Sequence, residues 1–395
     1  MGGVIGYCDI YGTMRFLVVA LIVLAPAAFG VEIATGRMLG PEFDARAFYV
    51  RPAGGQWQKT YAGAGYRPDA AGRLMNLRVA QAVVHDEWLT EAPFDAQKNT
   101  ERVVAALDTY KAHGVLAISV SLQGANQAYE RTPGIKRTRD AKLGPERGAL
   151  MSAYRADGSI KPEWLRRTLL LARELDRRGM ILNLMYLYCH QDEVFENTAA
   201  IDRAVRDTTD WLIDNNLRNV IIEVANEHDN PPWDHDGYVR REIGKLIEMA
   251  RERFIVKKAK FRLPITASTG GGMKVFDGTR DHADLIVIHG NEATPEQKRA
   301  RVAELINDPK MPGPIYMNED DNGRETTPVN LQRELASLDA VLDHGGAGWG
   351  YMPWVQLQIW PFRIYQPNGD PADRDSAYFQ SVLTHIRNRV RQGAL

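Results

Sequence analysis

Cysteine is almost missing from this sequence: Cys8 and Cys189 are the only two in 395 residues. Cleavage of the export signal read below would remove Cys8, so no disulfide framework holds the fold, whatever the compartment. A charge of one dominant sign is missing too. Lys plus Arg number 49 against 50 Asp plus Glu, for a net charge of -1. That balance gives no global field to gather nucleic acid or an acidic membrane. No apolar run reaches the ~20 residues of a comfortable membrane span, and the longest, Phe16 to Phe29, stops short of it. Nor does a Gly-rich turn follow the first predicted strand, which removes the usual phosphate and dinucleotide cradles. No His-x-His pair stands where a barrel metallohydrolase would need one. His85 is alone on the first predicted strand, with His190 and His289 far along the chain. No bound cofactor and no metal are expected.

What is present describes an ordinary globular chain, 44% hydrophobic and 25% charged. Met14-Arg15, the apolar run Phe16–Phe29 and the small residues of Ala28-Phe29-Gly30 have the order of a secretory signal. Residues 1–30 are therefore read as a signal-peptide region, with Met14 as an alternative start. A secreted or periplasmic protein follows, with no stable membrane span after cleavage. The alternative is an uncleaved N-terminal segment that anchors the protein to a membrane.

Beyond residue 30 the chain alternates. Residues 31–73, rich in Gly, Pro and aromatics, read as a short irregular extension with one strand at Ala47–Val50. Residues 74–395 read as one domain. Its predicted strands are Leu77–Val84, Val115–Leu122, Met180–Tyr188, Val220–Glu227, Leu263–Ser268, Asp284–Ile288, Pro314–Asn318 and Ala347–Val355. Helical patterns separate them: Gln97–His113, Pro162 to Arg177, Ala199–Asn215, Tyr238–Arg253, a start at Thr294-Pro295-Glu296-Gln297, another at Thr327-Pro328, and Ser376–Arg391. Thr294 followed by Pro295 and Gln297 is a capping-box start. Only the connection after the fifth strand lacks a clear helix. Eight β/α units in one domain predict closure into a (β/α)8 TIM barrel rather than an open doubly wound sheet. The loop from Gly124 to Ser159 is long and basic (Lys136, Arg137, Arg139, Lys142, Arg147) and follows a strand, so it belongs to the catalytic face.

The chemistry is expected at the end of Val220-Ile221-Ile222-Glu223-Val224-Ala225-Asn226-Glu227, an apolar strand that finishes in an Asn-Glu pair. Alternation puts Glu223, Ala225 and Glu227 on one face. In a barrel, strand ends on the C-terminal side carry the reacting groups. A second carboxylate, Glu319, closes the seventh predicted strand, on the other side of the ring. Two carboxyl groups about 5–5.5 Å apart can cleave a glycosidic bond with retention, one as acid and the other as nucleophile; an inverting pair stands farther apart. Asp320 and Asp321, which directly follow Glu319, and Glu292, after the sixth predicted strand, compete for its role. Glu223 reads as an interior, hydrogen-bonded carboxylate.

Glu223-Val224-Ala225-Asn226-Glu227 resembles the Glu-x-x-Asn-Glu strand-four motif of the clan A retaining glycoside hydrolases, which include many cellulases, mannanases and β-galactosidases. The resemblance covers residues 75 to 390 in layout and assigns no particular family. By position it implies Glu227 as acid/base, Glu319 as nucleophile and Asn226 on the sugar 2-hydroxyl. His289 after the sixth strand and Trp354 after the eighth occupy places where the clan often has a His or Tyr and a Trp. His190 and Gln191 supply polar groups after the third strand, with Gln123 at the tip of the second and Trp233 after the fourth. The implied substrate is an oligosaccharide, polysaccharide or glycoside with β linkages. Two other readings use the same barrel: an inactive carbohydrate-binding protein and a metal-dependent hydrolase. No motif supports nucleic-acid binding.

Overall fold

A computed structural model of the chain describes residues 30–85, 94–124, 148–189, 191–230, 233–321, 325–353 and 374–393. The barrel is built from β4 (Leu74–Arg78), β5 (Ala117–Ser121), β6 (Ile181–Tyr188), β7 (Val220–Asn226), β8 (Ile265–Thr266), β9 (Ser268–Thr269), β10 (Ile286–His289), β11 (Ile315–Asp320) and β12 (Gly348–Tyr351). Neighbours are parallel throughout, in the order β8-β7-β6-β5-β4-β12-β11-β10-β9. β8 pairs with β7 and β9 pairs with β10. Only Ala267 separates β8 from β9, so the two are one barrel position, the fifth, and the ring closes as a (β/α)8 barrel.

The helices follow the apolar periodicity. Ala96–Ala112, Pro162–Arg177, Thr198–Asp214, Pro295–Asn307 and Pro328–Asp343 lie within a residue or so of expectation where bounds were predicted. Asp95, Asn197, Thr294 and Thr327 cap their helices through side-chain oxygens, and Thr294 and Gln297 complete the reciprocal box. The pattern from Tyr238 divides into Tyr238–Arg241 and Ile243–Val256. A six-residue helix, Asp277–His282, fills the connection after the fifth strand. Among the described residues, no helix is long and apolar enough to cross a membrane.

Two expectations need correction. The first barrel strand is β4, ending at Arg78, rather than Leu77–Val84. Asn76 and Arg78 interrupt its apolar run because they face the barrel interior, which hides the strand from a hydropathy reading. The extension is also more regular than expected. β1 (Val31–Thr35), β2 (Phe48–Pro52) and β3 (Gln58–Lys59) form an antiparallel sheet. Its Ile33 and Phe48 pack against Leu74, Ala117, Ile181, Ile221, Val287 and Tyr316, near the starts of barrel strands. Each such side chain contributes about 1.5–3 kcal/mol by leaving water. The Ile33 N–H donates to the Arg218 carbonyl (3.1 Å), and Glu32 pairs with Arg51 and Arg218. The sheet thus plugs the N-terminal end and leaves the strand C-termini as the mouth.

Above the plug lies a buried polar belt. Ser119 Oγ donates to Asn76 Oδ1 (3.0 Å), and Asn183 Nδ2 reaches Ser119 Oγ (3.0 Å) and Glu223 Oε2 (2.9 Å). Asn318 Nδ2 donates to the same Glu223 oxygen (2.8 Å). Glu223 is therefore the interior carboxylate the sequence suggested, part of the floor of the site.

Candidate active site

Glu227 follows β7 in a left-handed backbone conformation (φ 50°), uncommon for a residue with a side chain. Ser268 of β9 holds this turn: its Oγ accepts from the Glu227 N–H (2.9 Å) and its carbonyl from the His228 N–H (3.0 Å). Strained backbone that neighbours hold in place is characteristic of functional positions. Glu319 reaches the same space by another route. β11 carries one residue more than either neighbour: Ile288 pairs with Met317 but His289 with Glu319, and Met317 pairs with Trp349 but Asp320 with Tyr351. Asn318 and Glu319 consequently both point inward, the one onto Glu223 and the other onto Arg78.

The two carboxylates converge. One oxygen of Glu227, one nitrogen of His289 and one oxygen of Glu319 all lie within 4.8 Å of one another. His289 Nδ1 is 2.9 Å from Glu227 Oε1 and 3.4 Å from Glu319 Oε2. Asn230 Nδ2 donates to the other Glu227 oxygen (2.8 Å), and the Cys189 thiol approaches it at 3.6 Å. Glu319 forms an ion pair with Arg78 through Oε2 and accepts from Asn291 Nδ2 through Oε1 (2.7 Å). Arg78 is fully buried, and its Nη2 also donates to Asn226 Oδ1 (3.0 Å) and Tyr188 Oη (3.3 Å). It ties β4, β6, β7 and β11 together under the mouth.

Burial alone would push the Glu227 carboxyl up. The hydrogen bond and charge of His289, the Asn230 amide and the Arg78 charge outweigh it and hold Glu227 at about 2. Burial would likewise lower His289, but the charges of Glu319 and Glu227 overcome it and raise the imidazole above its ordinary value. Both shifts run the same way, favouring a proton on His289 over one on Glu227. Burial also drives the Cys189 thiol well up, so it stays neutral.

Glu227, His289 and Glu319 could offer three ligand atoms to a divalent cation, the one such group among the described residues. Arg78 already supplies Glu319 with a buried positive charge at that spot, which makes the set a poor fit to a metal.

The remaining sequence candidates fall as follows. Asn226 is fully buried, its oxygen held by Arg78 and its Nδ2 3.9 Å from the Cys189 sulfur. Gln123 braces loops: its amide donates to Ser152 Oγ (3.1 Å) and the Gln191 carbonyl (3.2 Å) and accepts from the Tyr188 N–H (2.8 Å). Among the described residues, both amide atoms of the buried Gln191 side chain and the Trp233 indole nitrogen lack hydrogen-bond partners. Buried polar atoms without partners are rare, and a ligand is one way of satisfying them. His190, Trp354 and the five basic residues of the 124–159 loop lie outside the described residues. Of the competitors to Glu319, Asp320 faces outward onto Lys298 and Glu292 is exposed. Sequence reasoning missed Arg78, Asn230 and Asn291. An arginine inside an otherwise apolar run was the available signal for the first.

No protein-family model matches the chain, and no curated protein sequence does. Solved structures do. A GH5-4 broad specificity endoglucanase from Clostridium longisporum is similar over 80% of this chain and 96% of its own, at 9% identity and a TM-score of 0.51. A second GH5-4 broad specificity endoglucanase, from Bacteroides salanitronis, is similar over 84% and 97%, at 10% identity and a TM-score of 0.50. The exo-beta-1,4-mannosidase Op5Man5 from Opitutaceae bacterium strain TAV5 has 15% identity and a TM-score of 0.48 over 83% of this chain, which spans only 61% of its length. At such identities the likeness is one of fold: the chain shares the barrel of GH5-type glycoside hydrolases.

Proposed function

We propose that this protein is a retaining glycoside hydrolase that cleaves β-linked sugars by double displacement. The observation that carries the reading is the approach of one Glu227 oxygen and one Glu319 oxygen to within 4.8 Å, across the mouth from β7 to β11. That closeness favours direct attack by a carboxylate, since an inverting pair stands roughly 6.5–9.5 Å apart to admit water.

Glu319 is the nucleophile. Arg78 and Asn291 hold it and aim it, and it attacks the anomeric carbon to form a glycosyl-enzyme. Glu227 is the acid/base, and its proton comes from His289. As the leaving oxygen gains charge, the proton on Nδ1 passes over the 2.9 Å hydrogen bond to Glu227 and on to the aglycone. Water then resolves the intermediate: Glu227, now in its basic form, takes a proton from the attacking water and passes it back to His289 Nδ1. Asn226 meets the sugar 2-hydroxyl through Nδ2. Gln191, Trp233, His190 and Trp354 complete the sugar contacts, the tryptophans by stacking. The substrate is an oligosaccharide, polysaccharide or glycoside, met outside the cytoplasm after export.

The stereochemistry of the first-formed product tests this reading. Proton NMR of a β-glycoside digest should show the β-anomer before mutarotation; an initial α-anomer would contradict double displacement. Sugar binding without turnover on any chromogenic glycoside would instead favour an inactive carbohydrate-binding barrel.

A further inference from the structure

Directly behind Glu319, on the outer face of the same strand, lies a charge pair that the chemistry does not use. Asp320 Oδ1 is 2.7 Å from Lys298 Nζ, and both side chains are 0% exposed. Lys298 Nζ also donates to Ser337 Oγ (2.9 Å), and the Trp349 indole N–H donates to Asp320 Oδ2 (2.8 Å). Removing two charges from water costs more than a well-packed apolar pair would, so stability alone does not account for this arrangement.

The bulge supplies a reason. Strict alternation from Met317, which packs in the outer core, would send Glu319 outward and Asp320 inward. The extra residue in β11 reverses this, as bulges do when they re-aim a side chain. The reversal is held from both sides. Inside, Asn76 Nδ2 donates to the Asn318 carbonyl (2.7 Å). Gly350 leaves room for that carbonyl, since a Cβ there would stand 2.0 Å from the oxygen. Outside, the grip is on Asp320, whose carbonyl accepts from the Met352 N–H (2.9 Å) while its carboxylate is taken by Lys298 and Trp349. Gly290 lies against this pair, and a Cβ there would fall 2.9 Å from Lys298 Cε and 3.0 Å from Asp320 Oδ1.

We propose that Lys298, Asp320 and Trp349 are positioning residues that lock the bulge of β11 and thereby aim Glu319 at the anomeric carbon. The inference rests on the glycosidase reading for its consequence but not for its geometry. Register slip would turn the Asp320 carboxylate into the site and Glu319 out of it, and the outer ion pair fixes which acid faces inward.

The test is the double variant Lys298→Met/Asp320→Leu, which removes both charges while keeping one linear and one γ-branched side chain, alongside Trp349→Phe, which removes the indole hydrogen bond. The double variant should keep a melting temperature at or above that of the wild type. On an aryl glycoside with a good leaving group it should lose about 100-fold in kcat, the cost of a misplacement near 1 Å, with KM little changed. Trp349→Phe should lose about tenfold, again in kcat. A crystal structure of the double variant should show Glu319 withdrawn from Arg78. Wild-type kcat in both variants, or Glu319 still on Arg78 in the double variant, overturns the proposal. If the double variant does not fold, Trp349→Phe decides alone: full kcat sinks the idea. Wild-type protein inert on every glycoside would defeat the glycosidase reading, while the crystal structure would still judge the aim of Glu319.

Discussion

A single nitrogen of His289 stands between the two carboxylates, 2.9 Å from Glu227 and 3.4 Å from Glu319. The carboxylates raise the proton affinity of that ring, and the ring lowers that of Glu227. The pair is thus one proton-sharing unit with Arg78 as its fixed charge.

The first consequence is a pH profile. If Glu227 draws its proton from His289 as proposed, kcat/KM should fall as pH rises through a value above the ordinary imidazole pKa of about 6.5. The stability contributed by the raised pKa has the same sign: present in full below the unfolded pKa and lost as pH rises through the folded one. In His289→Asn, kcat/KM should drop about 100-fold and the basic limb should move. A limb unchanged in that variant would show that the proton comes from elsewhere.

Substituting Glu227 should hurt in proportion to the leaving group. Glu227→Ala is expected to spare dinitrophenyl glycosides relative to substrates with alcohol leaving groups, by about 100-fold or more. Equal losses across a series of aryl leaving groups would remove Glu227 from the acid/base role.

Arg78 provides the positive charge that a bound cation would otherwise bring to Glu319. Activity should therefore survive exhaustive treatment with EDTA, and metal analysis of active protein should find no stoichiometric ion. Loss of activity on chelation, restored by zinc or manganese, would revive a metal-dependent hydrolase.

Asp192 makes a prediction about stability. It is fully buried after β6, where Oδ1 accepts from the Asp234 N–H (3.1 Å) and Oδ2 has no partner among the described residues. Burial raises it from 3.8 to about 6. A raised carboxyl favours the folded state at low pH and loses that advantage as pH climbs from about 4 to about 6. Asp192→Asn keeps the Oδ1 acceptor without the charge. It should match the wild type at pH 4 and exceed it at pH 7 by on the order of 2 kcal/mol in urea unfolding. Equal stability of the two at pH 7 would refute the shift.

The fold was legible because barrel periodicity is written in apolar runs and helix caps, as in Thr294-Pro295-Glu296-Gln297 and its capping box. The N-terminal sheet was legible only in part: the strand expected at Ala47–Val50 overlaps β2, while β1 and the two-residue β3 went unread on either side of it. Glu227, Glu319 and His289, which the structure brings together, stood out in the sequence because each lies at or just past the end of a predicted strand. Arg78 was missed because its strand was placed three residues late. Alternation also could not explain Glu319. Met317 and Glu319 share a parity, and only the extra residue in β11, visible in pairing but not in composition, turns the glutamate inward.

Everything in the proposed function depends on Glu319 acting as a nucleophile, and Glu319→Ala tests it most directly. The variant should hydrolyse an activated β-glycoside at least about 1,000-fold more slowly than the wild type while keeping its fold. Added azide should restore turnover and release the α-glycosyl azide. Near-normal hydrolysis in this variant, or rescue that yields only the β-azide, would contradict the account.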